Sequence, residues 1–442
     1  MKNRTAPVLF FLIAFAGILI GLALMPDPGK EKPPATRLDL SDAPKKEKPP
    51  ATWTSELDLL RFTEKDGALW QSTPSGVMVQ STIDPQLQAF LTQEFGRYEL
   101  PYAAAVVIHL PDGEVRALAG RSGAEPRLTM GELTLKPWAP AASLFKTVSA
   151  IALMTTPGFD PQKEVCYSGG QGGITAKHLE EPPPADAVCE NLEAALANST
   201  NAVLGKLARA HLDVRRLQDV AQACGFNQDL PFEFTVEKSR FKLADTDPMA
   251  LPLAAAGFGH ATISAWHAAW LAALIAGNGK VPPVHVLRLA IDRNKDPVEL
   301  PRPAAAVFSS LPEETMARLR LMLARTVTQG TAREGFFKGD EPLVPITVGG
   351  KTGTLGRTEP QVLLYTWFMG YAPVEAPRWA FAILIVSPEK WRTKASYIAA
   401  RLVNRLVDSE TGKPGPGPAR KPETPPPAMQ EKPVPPPSAG QE

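Results

Sequence analysis

The period of the apolar positions changes along the chain, and each change marks an element. Residues 7–24 are almost wholly apolar, about the length that crosses a ~30 Å hydrocarbon layer. Lys2 and Arg4 precede the run, which leaves the N-terminus on the cytoplasmic side. A cleaved signal peptide shares this charged start and apolar stretch. The run is long for one, however, and Leu24-Met25-Pro26 makes a poor cleavage site. Residues 1–25 are therefore expected to be a cytoplasmic start and an uncleaved transmembrane anchor. Either way the remainder is exported, so a single-pass protein of the plasma (inner) membrane is expected, its main domain on the periplasmic or extracellular side.

Periodicity then disappears over residues 26–56. Glu31-Lys-Pro-Pro-Ala-Thr36 recurs as Glu47-Lys-Pro-Pro-Ala-Thr52, and mixed charge with paired prolines favours an extended linker. At ~3.1 Å per residue it would reach about 90 Å. Residues 57–76 are an approach segment and 77–407 the main domain. Residues 408–442 are Pro-rich, too poor in aromatic and branched side chains to offset the entropy of ordering, and are expected to be disordered.

Within the main domain the periods alternate. Asp84 and Pro85 mark the N-cap and first position of a helix. Residues 103–110, then Pro-Asp-Gly, then 114–119 predict a β-hairpin. Residues 141–280 are helical in pattern. Strands return at 346–350, 363–371 and 379–386, and a helix closes the domain near 396–407. Strands at both ends with helices between imply an α+β fold around an antiparallel sheet built from distant parts of the chain.

Composition narrows the function classes. The 442-residue chain is 44% apolar and 21% charged, and 47 Lys plus Arg balance 46 Asp plus Glu. No global field points to nucleic acid. In an exported chain a disulfide is the default for cysteine. Cys166 and Cys189 bracket a Gly- and Pro-rich loop and are the candidate pair, whereas Cys224 sits in an apolar run as a small buried hydrophobe. No CxxC or HxxxH spacing suggests zinc, and no cofactor or metal is expected. His260 and His267 flank Trp266 and are read as packing residues. Glycines 169, 170, 172 and 173 are read as a loop rather than a ligand cradle.

Three short patterns carry the chemistry: Ser143-Leu-Phe-Lys146, Ser199-Thr-Asn201 and Lys351-Thr-Gly353. SxxK recurs at Ser239–Lys242 and Ser387–Lys390, but only Ser143 opens a helix-like run. A serine hydroxyl is a weak nucleophile that needs a base. Lys146, one helical turn on, is within reach, and burial near a second cation such as Lys351 would free its lone pair near neutrality. Ser199 can relay protons, and Asn201 can hold Lys146 and a substrate backbone. Lys351 and Thr352 suit a substrate carboxylate, Gly353 permits close approach of a substrate strand, and the Thr354 N–H would complete an oxyanion hole with that of Ser143. GGKTG is not a phosphate loop, because Pro345 stands where the first glycine is required.

This ordered trio resembles that of class A β-lactamases and penicillin-binding proteins. Further segments are similar to the penicillin-binding transpeptidase domain: Ser81–Gln88, Ala197–Val203, Gly257–Ile263, Gly277–Gly279, Thr328–Ala332 and Trp367–Pro373. Leu144 and Thr147 depart from the family's usual nucleophile segment. The resemblance implies a five-stranded antiparallel sheet flanked by helices, plus an all-helical subdomain, with the site between them. It also implies peptidoglycan stem peptides as substrates, covalent trapping by β-lactam antibiotics, and cell-wall synthesis proteins as partners. The reaction expected is D,D-transpeptidation. Water in place of the acceptor amine would give a D,D-carboxypeptidase at the same site, and a β-lactamase would need a deacylating base for which no segment is evident. A non-catalytic scaffold or β-lactam-binding protein is the alternative of another class, opposed by the intact trio.

Overall fold

The computed structural model describes residues 52–184, 187–244, 247–307, 311–357, 362–388 and 392–412. The expected anchor, the linker up to residue 51 and the tail beyond residue 412 lie outside these residues. Among the described residues no helix is long and apolar enough to cross a membrane.

Nine strands form the two larger sheets: β1 (Thr63–Lys65), β2 (Ala68–Ser72), β3 (Met78–Ser81), β4 (Tyr102–His109), β5 (Glu114–Ser122), β6 (Leu287–Ile291), β7 (Gly349–Arg357), β8 (Leu363–Ala372) and β9 (Trp379–Ser387). The helices that matter for the site are α1 (Pro85–Arg97), α2 (Phe145–Met154), α3 (Leu192–Asn198), α4 (Asn201–His211), α5 (Ala265–Ala276), α6 (Glu313–Thr328) and α7 (Ala395–Thr411).

The main sheet is five-stranded and antiparallel, in the order β7-β8-β9-β4-β5. Its outer members come from opposite ends of the domain, as the α+β reading requires. Every residue of β9 and nearly every residue of β4 is buried, because helices cover both faces. Ala103, Ala105 and Val107 share one apolar cluster with Phe381, Ile383 and Ile385 and with Leu402 and Val403 of α7. With a side-chain period of two, the alternate residues face the other way, where the wholly buried α5 packs on β4, β8 and β9. Helix α1 starts as its sequence dictates: the Asp84 carboxylate accepts from the N–H groups of Gln86 and Leu87, with Pro85 at the first turn.

Two local expectations change, and the approach segment gains detail. The approach segment is structured: β1 and β2 form a hairpin, and β2 pairs β3, which pairs β6. The strand expected over 346–350 starts at Gly349 and runs to Arg357, so the Lys-Thr-Gly lies in the strand's middle. Its partner β8 ends at Ala372, before Pro373, which has no N–H to offer a ladder. His260 is exposed in a left-handed turn with φ 57° rather than packed. His267 is buried, its Nε2 2.9 Å from the Cys224 carbonyl.

Candidate active site

Ser143 sits on a turn held from three sides. Ala142–Leu144 form a short 3-10 turn that leads into α2. Ala142 adopts φ 48°, a left-handed conformation that costs a non-glycine residue energy and persists only where surroundings enforce it. Here the enforcement is visible. The Ala141 N–H donates to the Ala261 carbonyl at 3.0 Å, and Trp367 Nε1 on β8 donates to the Pro140 carbonyl at 2.9 Å. Gly257, at φ 90°, lies so close that a Cβ there would meet the Ala142 carbonyl oxygen at 2.4 Å. The atypical Thr147 is buried and donates to the Leu144 carbonyl at 2.8 Å, so it satisfies itself within the helix.

Lys146 lies one turn beyond Ser143, and its Nζ is 2.7 Å from Ser143 Oγ. Two further partners converge on the same nitrogen: Asn201 Oδ1 at 2.6 Å and Ser199 Oγ at 3.1 Å. Burial and, after it, the positive charge of Lys351 hold the Lys146 ammonium well below the ordinary lysine range. The three partners suit either protonation state. A neutral amine donates to Asn201 and Ser199 and accepts the Ser143 proton, and the ammonium donates to all three. The geometry therefore needs no rearrangement when the proton moves.

Lys351 is fully buried in β7, and burial lowers its pKa to about 7. Its Nζ donates to the Thr352 carbonyl at 3.0 Å. Thr352 is half-buried and its hydroxyl bonds the Thr331 hydroxyl. Gly353 is buried and Thr354 exposed, farther along the same strand, which is the free edge of the sheet. Of the two other SxxK patterns, one comes apart, with Ser239 buried and Lys242 exposed, and Lys390 of the other lies outside the described residues.

Gln171 and Glu190, which help to shape the site, carried no signal of their own. Asn201 Nδ2 donates to the Gln171 carbonyl at 2.7 Å, so the glycine-rich loop touches the site. Glu190 accepts from Asn198 Nδ2 at 2.7 Å and from Thr200 Oγ1 at 2.6 Å, on either side of Ser199. Gly330 lies against α3, where a Cβ would meet the Ala197 carbonyl oxygen at 2.1 Å. Cys166 and Cys189 form a disulfide at the root of the loop, and Cys224 is free and buried. Cross-linking of Asn201 to a main-chain carbonyl 30 residues away is a tertiary fact, invisible to motif spacing.

A family model described as the penicillin-binding protein transpeptidase domain matches residues 103–408. This chain belongs to that family. Among curated protein sequences none matches. The fold is similar to the D,D-transpeptidase domain of a peptidoglycan glycosyltransferase from Eggerthella lenta, at 22% identity and TM-score 0.59, over 76% of this chain and 83% of that one. It is also similar to penicillin-binding protein 3 from Mycobacterium tuberculosis, at 19% identity and TM-score 0.61, over 76% and 80% of the two chains. Penicillin-binding protein A from M. tuberculosis, solved as an imipenem acyl-enzyme complex, aligns at 16% identity and TM-score 0.58, over 74% and 79%. The penicillin-binding transpeptidases are serine acyltransferases of peptidoglycan, and the Ser143–Lys146 pair is where this member has a serine and a lysine in contact.

Proposed function

We propose that this protein cross-links peptidoglycan stem peptides through an acyl-Ser143 intermediate. The observation that carries the reading is the buried Lys146 amine, its basicity lowered, 2.7 Å from Ser143 Oγ. Ser143 Oγ attacks the carbonyl carbon of the penultimate D-Ala as its proton passes to Lys146. The oxyanion is stabilised by the backbone N–H groups of Ser143 and Thr354. Collapse breaks the C–N bond, and the departing D-Ala amine regains the proton from Lys146 by way of Ser199. A stem-peptide amine then attacks the ester, gives its proton back along the same path and releases Ser143. Thr352, with the field of Lys351 behind it, receives the terminal carboxylate of the donor peptide. β-Lactams follow the first half and stop there.

Residues 1–25 anchor the chain in the plasma membrane, with the catalytic domain on the exported side. The apolar run and the Cys166–Cys189 disulfide, which suits an oxidising compartment, support this placement. The linker and tail leave room for cell-wall synthesis partners.

The test is covalent labelling of the full-length protein by a fluorescent penicillin, with Ser143→Ala beside it and release followed over hours. A stable label absent from the variant is the expected result. A folded wild-type protein that takes no label would overturn the reading, and rapid shedding of the label would indicate a β-lactamase.

A further inference from the structure

We propose that the Cys166–Cys189 hairpin is a positioning element of the active site, and that Ser143 acylates at full rate only while its disulfide is closed. The inference rests on the acyl-serine reading and extends it to residues outside the three motifs. Two of the three partners of Lys146 are set by this hairpin. Its strands, Val165–Tyr167 and Val188–Glu190, place Cys166 opposite Cys189.

The first hold is on Asn201. A carboxamide presents an acceptor on one side and donors on the other. The Gln171 carbonyl, 2.7 Å from Nδ2, with that of Gly170 at 3.4 Å, occupies the donor side. Oδ1 is therefore turned toward Lys146 Nζ, 2.6 Å away. A flipped amide would set N–H against N–H at the base.

The second hold is on Ser199, which has φ 58°, a conformation that a serine keeps only under constraint. The Glu190 carboxylate supplies it by bridging Asn198 and Thr200, and Glu190 directly follows Cys189. A third contact fixes the hairpin to α4. Lys206 Nζ, with the side chain 5% exposed, donates to the Cys166 carbonyl at 3.0 Å, the Glu180 carbonyl at 3.1 Å and Glu181 Oε1 at 2.8 Å. The hairpin itself is only three residues a side, and the disulfide is its covalent closure. Opening that closure returns conformational freedom to both holds.

The test is the second-order rate of acylation by a fluorescent penicillin on the full-length protein. It is measured oxidised, after reduction by a dithiol that becomes its own disulfide and leaves two thiols, and in a Cys166→Ser/Cys189→Ser variant. Acylation about tenfold slower is expected in both open forms, with the fold retained by circular dichroism. Glu190→Ala on the oxidised protein is expected to slow acylation similarly, and Glu190→Gln to recover part of the rate. A cycle of the open disulfide with Asn201→Ala, and one of Glu190→Ala with Ser199→Ala, separate positioning from general loosening, because effects routed through the same residue do not add. Open-disulfide and Glu190→Ala rates within about twofold of wild type would overturn the proposal, as would full additivity in both cycles. Should reduction unfold the protein, the Glu190→Ala and Ser199→Ala cycle on the oxidised chain decides alone. An oxidised wild-type protein that fails to acylate strikes the acyl-serine reading instead.

Discussion

The two sides of the active site are built by different physics. Strand β7, with Lys351 and Thr352, belongs to a sheet whose central strands are buried on both faces and whose ladder with β8 runs unbroken for nine pairs. On the other side, Ser199 and Asn201 sit at the α3–α4 junction, held by a carboxylate, a loop carbonyl and a disulfide-closed hairpin. Apolar burial is distributed over many residues and resists single changes in position. A few hydrogen bonds to one loop are local, so they orient reacting groups finely yet contribute little to the fold. Stability should therefore reside mainly in the sheet and rate mainly at the junction.

The largest separation is expected from Lys146→Met. It removes the base while nearly conserving volume, so acylation should fall about 10²–10⁴-fold. The unfolding free energy should move by less than about 2 kcal/mol, because relief of a buried amine offsets the orphaned Asn201 carbonyl. Denaturant unfolding beside penicillin labelling reads both, and a collapse of stability would contradict the division. Phe381→Ala is the mirror image. Phe381 is fully buried in β9 and stacks on Phe368 at 6.1 Å between ring centroids. A cost of about 3–5 kcal/mol is expected, with the acylation rate of the still-folded protein at low temperature close to wild type. A rate that fell in proportion to stability would show that the sheet also tunes the chemistry.

Sequence reading reached the sheet side and the reacting groups, and stopped at the junction's supports. The continuous apolar runs of β4 and β9, and the Asp84-Pro85 start of α1, are local signals, and local signals survive into the fold. Ser143 and Lys146 are also local, since helical spacing alone brings them together. Lys351 was readable as a second cation because its motif is short, yet its burial depends on the whole sheet. Glu190 acts on side chains 8 and 10 positions on, Gln171 through a backbone carbonyl 30 residues from Asn201, and Gly257 through the absence of a side chain against Ala142. No residue type announces such roles. The misplaced start of β7 has the same origin, for Ile346 packs on the core cluster without pairing.

A smaller effect, carried by pH, tests the sheet side by itself. Lys351 has a pKa near 7 in the folded protein because it is buried, against about 10.4 when unfolded. Between those values the unfolded chain binds a proton that the folded one does not, so stability should rise with pH from about 7 to about 10.4. Below about 7 both states are protonated there and the slope vanishes. The amplitude should be at most a few kcal/mol. Denaturant unfolding of wild type and Lys351→Met across this range reads the contribution as the difference between two curves, together with the release of Lys146 from the Lys351 charge. Parallel curves would mean that Lys351 is far better solvated than its burial implies.

The smallest effect is expected where the two sides touch. The Thr331 N–H donates to the Ala197 carbonyl at 3.0 Å, two residues before Ser199, while its hydroxyl bonds Thr352 on β7 and reaches the same carbonyl at 3.3 Å. In the free enzyme Thr352 can donate to Thr331, which donates onward to Ala197. When a substrate carboxylate claims the Thr352 proton, Thr331 can reverse and donate to Thr352. Thr331→Val keeps the shape and the backbone bond but removes this adjustable hydroxyl. Acylation should slow about threefold to tenfold, the range of one neutral hydrogen bond, and Thr331→Ser should recover most of it. The loss should appear in the second-order rate for β-lactams with a free carboxylate and shrink when that carboxylate is esterified. Equal losses for both would place the role of Thr331 in joining α3 to β7 rather than in serving the carboxylate, its hydroxyl then acting as a fixed link between the two sides of the site.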